Sequence, residues 1–242
     1  MNIDLFTYSN AGARLLNEDY FGVDNSENRC IAVLCDGLGG HNCGEVASQI
    51  AVKNILDGIS QTGIINAESV HNVLNIVNDG IVRQQMYNPE QNGMRTTAVG
   101  CVVDRNELTY FNSGDSRFYF FSNGTLNTMT KDHSVSQMSV ELGEMSFDNI
   151  RFDADRNKLL KVLGEKTSNE VGTVYRPIKY KSGDAFLLCS DGFWEYVLEE
   201  EMEIDLSKSE TAREWIEFML VRLLLKFTAN NDNFTVIGGI IK

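Results

Sequence analysis

The sequence predicts an α+β fold in which antiparallel β-sheets are covered by segregated helices, and three observations carry that prediction. Short apolar or alternating runs of strand length recur along most of the chain. Consecutive runs in its middle are separated by tight-turn residues, so the strands they form should pair as hairpins. Helical period is confined to three stretches, which do not alternate with the strands as helices do around a doubly wound parallel sheet.

In chain order, residues 3–8, 30–35, 97–103, 108–112, 117–121, 185–189 and 234–241 read as strands. Asp104-Arg105-Asn106 reads as a hairpin turn between two of them. Asn123-Gly124 joins 117–121 to 125–129 and is the strongest short hairpin signal, so a meander is expected over residues 96–130. Residues 45–56 place Val46, Ala47, Ile50 and Ala51 on one helical face. Residues 68–86 place Val70, Val73, Leu74, Val77 and Ile81 on one face, and residues 211–227 do the same with Ala212, Trp215, Ile216, Met219 and Leu223. The Met and aromatic members of these stripes read as core. No Pro-rich, Gly/Ser-rich or charged linker divides the chain, so residues 1–242 are expected to form a single domain. Residues 134–170 are the least regular, and a flap is expected over residues 134–165.

A net charge of −13 argues against a nucleic-acid binder, which needs a basic stripe, and against docking on anionic lipid. The five cysteines contain no C-x-x-C pair, which disfavours a zinc ribbon or a thioredoxin-like site; Cys35, Cys101 and Cys189 sit in apolar runs and read as small core residues. No run is long and apolar enough for a membrane span and the N-terminus lacks a signal-peptide pattern, so a cytoplasmic protein is expected.

Five aspartates share one setting: each lies at an end of an apolar strand-like run. Asp36 follows such a run and precedes Gly37. Asp115 lies in Asn112-Ser113-Gly114-Asp115-Ser116-Arg117, and Asp191 in Ser190-Asp191-Gly192-Phe193-Trp194. Asp232 precedes Asn233 and the last strand, and Asp19 precedes the run 20–23. Strand ends gather at the rim of a sheet, where carboxylates far apart in sequence can converge, and hard oxygen donors suit Mg²⁺ or Mn²⁺. Any one of these sites could be an ordinary Asp-Gly turn. Five in the same context point to a cation site.

These motifs together resemble the metal-dependent protein phosphatases of the protein phosphatase 2C type, in their compact bacterial form. The resemblance runs through nearly the whole chain. It begins at Gly12-Ala13-Arg14-Leu15-Leu16-Asn17-Glu18-Asp19, continues through Asp36-Gly37-Leu38-Gly39-Gly40-His41 and Gly44-Glu45-Val46-Ala47-Ser48, and then Thr96-Thr97-Ala98, Gly114-Asp115-Ser116-Arg117 and Thr130-Lys131-Asp132-His133-Ser134. Leu163-Gly164, Ser190-Asp191-Gly192-Phe193-Trp194 and Asp232-Asn233-Phe234-Thr235 complete it.

The resemblance implies a four-layer α/β/β/α sandwich and a phosphoserine/phosphothreonine protein phosphatase with two Mn²⁺ or Mg²⁺ ions. A metal-bridging hydroxide would attack the phosphate monoester directly, without a phosphoenzyme. Asp36 would bridge the metals, the Gly37 carbonyl would complete one coordination sphere, and Asp191 and Asp232 would hold the other ion. Asp19, beside Glu18, would bind through water, and Asp115 with Asp191 would frame a third, weaker site. Arg14 would clamp the phosphate, for which a planar guanidinium is suited, and Asn233 would support Asp232. Phosphorylated proteins and a cognate Ser/Thr kinase are the implied partners, with a monomeric enzyme and no nucleic acid or membrane.

Departures from the family pattern are equally specific. Leu38 stands where eukaryotic-type relatives carry His, which leaves metal-bound water as the acid for the leaving group. Glu195 stands where many relatives place an Asp at the third metal. His41 and His133 read as structural or orienting residues, and Arg117 as the partner of a nearby carboxylate. The alternative function is a pseudophosphatase that binds phosphoproteins without turnover; loss of the metal aspartates would be its mark, and Asp36, Asp191 and Asp232 are present.

Overall fold

A strand buried on both faces must be apolar at every position, and residues 30–35 are. In the computed structural model, which describes residues 2–26, 28–38, 43–105, 107–166 and 170–242, this run lies inside a longer strand between two layers. The elements in order are β1 (Ile3–Asn10), β2 (Asp19–Asn25), β3 (Arg29–Leu38), α1 (Gly44–Ser60), α2 (Ala67–Tyr87), β4 (Arg95–Thr96), β5 (Ala98–Asp104) and β6 (Glu107–Ser113). There follow β7 (Arg117–Ser122), β8 (Thr125–Met129), α3 (Val135–Glu141), β9 (Thr173–Val174), β10 (Ile178–Lys179), β11 (Ala185–Cys189), α4 (Asp191–Trp194), α5 (Glu199–Ser207), α6 (Ala212–Leu225) and β12 (Phe234–Ile241).

The strands form two antiparallel sheets, one in the order β1-β12-β11-β7-β8 and one in the order β10-β6-β5-β3-β2, with β4 on β3 and β9 on β6. Three cores follow from the period-2 alternation of side chains. Cys30, Ala32 and Leu34 of β3 face the other sheet and pack with Phe118, Phe120, Leu188 and Ile237. Ile31, Val33 and Cys35 face outward and meet Ala47, Ala51, Ile55, Val77 and Ile81 of α1 and α2. On the far side, Leu187, Cys189, Tyr119 and Phe121 meet Trp215, Ile216 and Met219. The layers are therefore helix, sheet, sheet, helix, as the resemblance implied. No helix among the described residues is long and apolar enough to cross a membrane.

The stripes expected on α2 and α6 are the faces they bury. On α1 the buried face is rotated from the expected one: Val46 and Ile50 are half-buried, while Val52, Ile55 and Ile59 go fully into the core. The expected meander is divided. β5 and β6 pair in one sheet and β7 and β8 in the other, so the chain changes sheets between Ser113 and Arg117. The Asn123-Gly124 turn forms with both residues at positive φ, 55° and 79°, the conformation that a tight hairpin requires. Arg105 also has positive φ, while its neighbour Asn106 lies outside the described residues. The expected flap region holds α3 and a 3₁₀ turn at Phe147–Phe152. Helix α5, with five acids in nine residues, had no apolar stripe to announce it.

Candidate active site

Asp36 does not sit in a turn after β3, as its Asp-Gly sequence suggested. The strand runs on through Leu38, because Asp36 pairs with Asp19 of β2 and Gly37 pairs with Thr96 of β4. Alternation along β3 then gives Asp36 the face of Leu34, toward the other sheet, and Gly37 the helix-facing side. There a Cβ on Gly37 would come within 2.3 Å of the Gly44 carbonyl oxygen at the start of α1. Glycine is needed at 37 because the first turn of α1 packs on bare backbone.

The Asp36 backbone is held on both sides of its peptide. Its N–H donates to Thr97 Oγ1 at 2.9 Å, and its carbonyl accepts from Thr96 Oγ1 and from the Thr97 N–H, both at 2.8 Å. Asp19 is buried; its Oδ2 accepts from Ser190 Oγ at 2.7 Å, and its Oδ1 has no hydrogen-bond partner among the described residues. Ser190 ends the loop out of β11, so this bond ties the two sheets together. Asp191 opens α4 rather than simply ending a strand, and its Oδ1 also lacks a hydrogen-bond partner among the described residues.

Asp115 lies where the chain passes between the sheets. Gly114 precedes it at φ +96°, and its N–H donates to His133 Nδ1 at 3.2 Å, while the His133 N–H donates to the Gly114 carbonyl at 2.9 Å. The Asp115 carbonyl accepts from Trp194 Nε1 at 2.9 Å. The Trp194 ring lies under the Arg117 guanidinium, 3.5 Å from its centroid, and Arg117 is paired through Nε and Nη2 with Asp132 at 2.8 and 2.7 Å. His133 and Arg117 thus take the orienting and ion-pairing places expected of them. Burial pushes the His133 pKa down to about 4, so the ring that receives the Gly114 N–H is neutral near pH 7.

Asp232 precedes β12, and Arg14 Nη2 donates to its Oδ2 at 2.8 Å. Asn233 organises the loop before β2: its Oδ1 accepts from the Glu18 N–H at 2.8 Å, and its Nδ2 donates to the carbonyls of Ala11 and Leu16, each at 2.9 Å. Arg14, Glu18, Asp36, Gly37, Asp115, Asp191, Asp232 and Asn233 line one cavity of about 380 Å³, together with Leu16, Leu38, Asn157 and Leu159. Asp19 is buried behind it, opposite Asp36. The sequence did not single out Ser190, Thr97 or Trp194 as positioning groups; the motifs contained them, but hydrogen bonding between distant loops has no sequence period. His41, Gly39 and Gly40 lie outside the described residues.

Burial, and repulsion between neighbouring carboxylates, raise the pKa values of Asp19, Asp36, Asp115 and Asp191. Asp36 is pushed well above the usual carboxylate range by burial and by Asp19, Asp191, Asp115 and Asp232, and Asp191 likewise by burial, Asp115, Glu195 and Asp232. Asp19 rises to about 6 and Asp115 to about 7, each mainly by burial. Buried carboxylates that repel one another and leave oxygens unbonded are the arrangement a divalent cation would relieve. The donors are all oxygen, which fits Mg²⁺ or Mn²⁺. Among the described residues no three acids close on one point as a complete cage; they ring the cavity instead, and Mg²⁺ ordinarily keeps several of its own waters. Glu195 is tied through both oxygens to Arg156 of the expected flap. Beside the cavity, Cys35 and Cys189 are buried with thiol pKa values pushed up by burial, so neither supplies a thiolate.

The chain matches the family model described as protein phosphatase 2C over residues 8–228. It is 34% identical over 227 residues to the serine/threonine phosphatase stp of Listeria monocytogenes, covering 91% of this chain and 88% of that protein. It superposes on the serine/threonine phosphatase Stp1 of Staphylococcus aureus with a TM-score of 0.87 at 26% identity, covering 100% of this chain and 96% of that one. It also superposes on the catalytic domain of the serine/threonine protein phosphatase PstP in complex with two manganese ions, with a TM-score of 0.81, 25% identity and 99% of each chain covered.

Proposed function

The chain belongs to the protein phosphatase 2C family of serine/threonine protein phosphatases, and from that premise we propose that its aspartate cavity holds two Mn²⁺ or Mg²⁺ ions and hydrolyses phosphoserine and phosphothreonine on proteins. One observation carries the reading: aspartates from five separate loops and strand ends line or back a single cavity, with carboxylate oxygens left unbonded. Asp36, the Gly37 carbonyl, Asp191 and Asp232 would hold the two ions, with Asp19 acting through water. Asp115 and Asp191 would frame a third, weaker site, from which Glu195 is drawn away by its pairing with Arg156. Divalent cations so held offset the charge of a phosphoryl group and make water a stronger acid.

The chain's own groups do the positioning. Arg14 stands at the cavity mouth with its guanidinium beside Asp232, where it can present two N–H donors to phosphate oxygens. Thr96, Thr97 and Ser190 fix the Asp36 and Asp19 backbones and carboxylates so that the acids need not reorganise when substrate enters. Leu16, Leu38 and Leu159 make the apolar part of the wall and limit the water that reaches the phosphate. With Leu38 apolar and both nearby thiols protonated, the reading calls for no protein nucleophile and no side-chain acid at position 38. A cognate Ser/Thr kinase as the source of the substrates, a cytoplasmic location and a monomeric enzyme complete the proposal.

The test is Mn²⁺-dependent hydrolysis of a phosphothreonine peptide by the wild type, Asp36→Asn and Asp191→Asn. Turnover is expected only in the wild type. No turnover in the wild type with Mn²⁺ or Mg²⁺ would favour the non-enzymatic phosphoprotein binder, and turnover surviving in both variants would remove the residue assignment.

A further inference from the structure

A phosphorylated side chain that enters a cavity brings its own polypeptide across the mouth, so residues at the mouth meet the substrate's neighbouring side chains. The aspartate cavity changes character with depth. Its acids sit low: Asp115 and Asp191 line it and are buried. Its outer wall is leucine: Leu16 is 52% exposed, Leu159 is half-buried, and both line the cavity. Each has a second leucine beside it in the chain. Leu15 lies between Arg14 and Leu16, two lining residues, and is fully exposed, while Leu160 follows Leu159 and is 51% exposed. One pair comes from the loop between β1 and β2 and the other from the expected flap region, so apolar surface stands at two places around one mouth.

Single exposed leucines are ordinary on a protein surface, but a group of them at one opening marks contact with another molecule. Here the backbone under both pairs is fastened to the site. Asn233 Nδ2 donates to the Leu16 carbonyl and to that of Ala11, each at 2.9 Å, which ties the first loop to the residue after Asp232. On the other side the Leu160 N–H donates to the His133 carbonyl at 2.7 Å, and the Lys158 carbonyl accepts from the Val135 N–H at 2.9 Å, so the peptides on both sides of Leu159 are held at the start of α3. His133 in turn holds Gly114, next to Asp115. The leucines are therefore set in place relative to the carboxylates, with their apolar surface kept toward solvent.

We propose that these leucines select the substrate sequence: Leu15 and Leu16 on one side of the mouth, and Leu159 and Leu160 on the other, receive apolar side chains that flank the phosphorylated residue. This inference rests on the phosphatase reading and gives the same cavity a substrate class. The occupant follows from continuity, because Leu16 and Leu159 belong to the cavity that takes the phosphate, and from the family, whose substrates are phosphorylated proteins. In an extended segment alternate side chains face the same way. The residues two before and two after the phosphorylated one, each roughly 7 Å along the chain, therefore point with it toward the enzyme. Those are the positions at which leucine-sized apolar residues are favoured.

The experiment compares two phosphothreonine peptides, all alanine except for the phosphorylated centre and the positions two before and two after it. Those two positions are leucine in one peptide and asparagine, of nearly the same shape but polar, in the other. The proteins are the wild type, Leu15→Asn, Leu160→Asn and the double variant, assayed with Mn²⁺. In the wild type the leucine peptide is expected to have a KM lower by about tenfold, the range of one well-buried aliphatic side chain. Each single variant should shrink the difference and the double variant abolish it, with turnover of the asparagine peptide unchanged in all three. Equal KM values for the two peptides in the wild type would overturn the proposal, as would a preference preserved in the double variant. So would a double variant that loses turnover of the asparagine peptide to the same extent, which would make the leucines structural. A wild-type dimer that Leu15→Asn dissociates would give the mouth to a second copy of the chain and overturn it too. A wild type inert toward both peptides would instead overturn the phosphatase reading, and the proposal with it.

Discussion

Asp19 and Asp36 stand directly opposite one another across the β2–β3 ladder, two carboxylates on one face of a sheet. Directly opposed like charges destabilise a strand pair, and here burial adds to the cost. The sign of the resulting pH dependence is fixed. Asp19 and Asp115 hold their protons up to about 6 and about 7 in the folded state, and Asp36 and Asp191 are also raised. Near pH 4 and below, these groups are protonated in the fold at no cost. As pH rises through the folded-state values, the fold must give up protons that the unfolded chain released earlier, and stability is lost. With EDTA present, Tm is expected to fall between about pH 5 and about pH 8. Mn²⁺ should raise it, more at the higher pH, because ions bind the deprotonated acids. Asp36→Asn should raise Tm of the cation-free protein near pH 8. A Tm flat with pH under EDTA, measured by calorimetry, would contradict the account.

Trp194→Phe keeps the ring under Arg117 but removes the N–H that holds the Asp115 carbonyl. Leaving that buried carbonyl unbonded should cost about 1–3 kcal/mol in urea unfolding. Since Asp191 opens the same helical turn, the Mn²⁺ concentration for half-maximal activity should rise. Loss of stability with unchanged Mn²⁺ dependence would make Trp194 a core residue only.

Arg14 is mostly exposed and, among the described residues, its one ion pair is with Asp232, so Arg14→Ala should leave Tm nearly unchanged. Its loss from the phosphate should lower kcat/KM by roughly 10–100-fold, the range of charge-assisted hydrogen bonds. Arg14→Lys should recover only part of this, since an ammonium cannot make the paired contact. Steady-state kinetics on a phosphopeptide decides it.

The Arg117–Asp132 pair is buried, with both side chains 1% exposed. Asp132→Asn would leave the buried guanidinium with Glu199, 3.7 Å away, as its remaining carboxylate partner among the described residues, and a loss of about 3 kcal/mol in denaturant unfolding is expected. Lys131→Ala, next to it but at the surface, serves as the control and should change stability by less than about 1 kcal/mol.

The period of the apolar residues made α2, α6 and the doubly buried run of β3 legible, because burial of a stripe or of both faces writes itself into sequence. It could not show that β3 continues through Asp36, since that depends on partners 17 and 60 residues away, Asp19 and Thr96. Nor could it show the change of sheet between Ser113 and Arg117: two hairpins in one meander and two hairpins in different sheets have the same alternation and the same turns. Helix α5 was invisible because its acidic residues carry no stripe; it is held instead by ion pairs, among them Arg222 with Asp205 at 2.6 Å. Among the acids, recurring context selected four that line the cavity, Asp36, Asp115, Asp191 and Asp232, and Asp19, which pairs with Asp36 behind it. The groups that aim them, Ser190, Thr97 and Trp194, became visible only with the fold.

The acids of the cavity come from both halves of the sandwich: Asp19 and Asp36 from one sheet, Asp191 and Asp232 from the ends of strands in the other, and Asp115 from the crossing between them. Sliding one sheet over the other by a single residue, about 3.3 Å, would break no ladder hydrogen bond, yet it would dismantle the centre. Catalytic output is therefore a vernier for the alignment of two layers whose contact is mostly apolar and directionless, with directional bonds such as Ser190–Asp19 confined to its rim. A methyl group trimmed from Leu188 or Ile237 in that contact should register first as lost turnover and only later as lost structure.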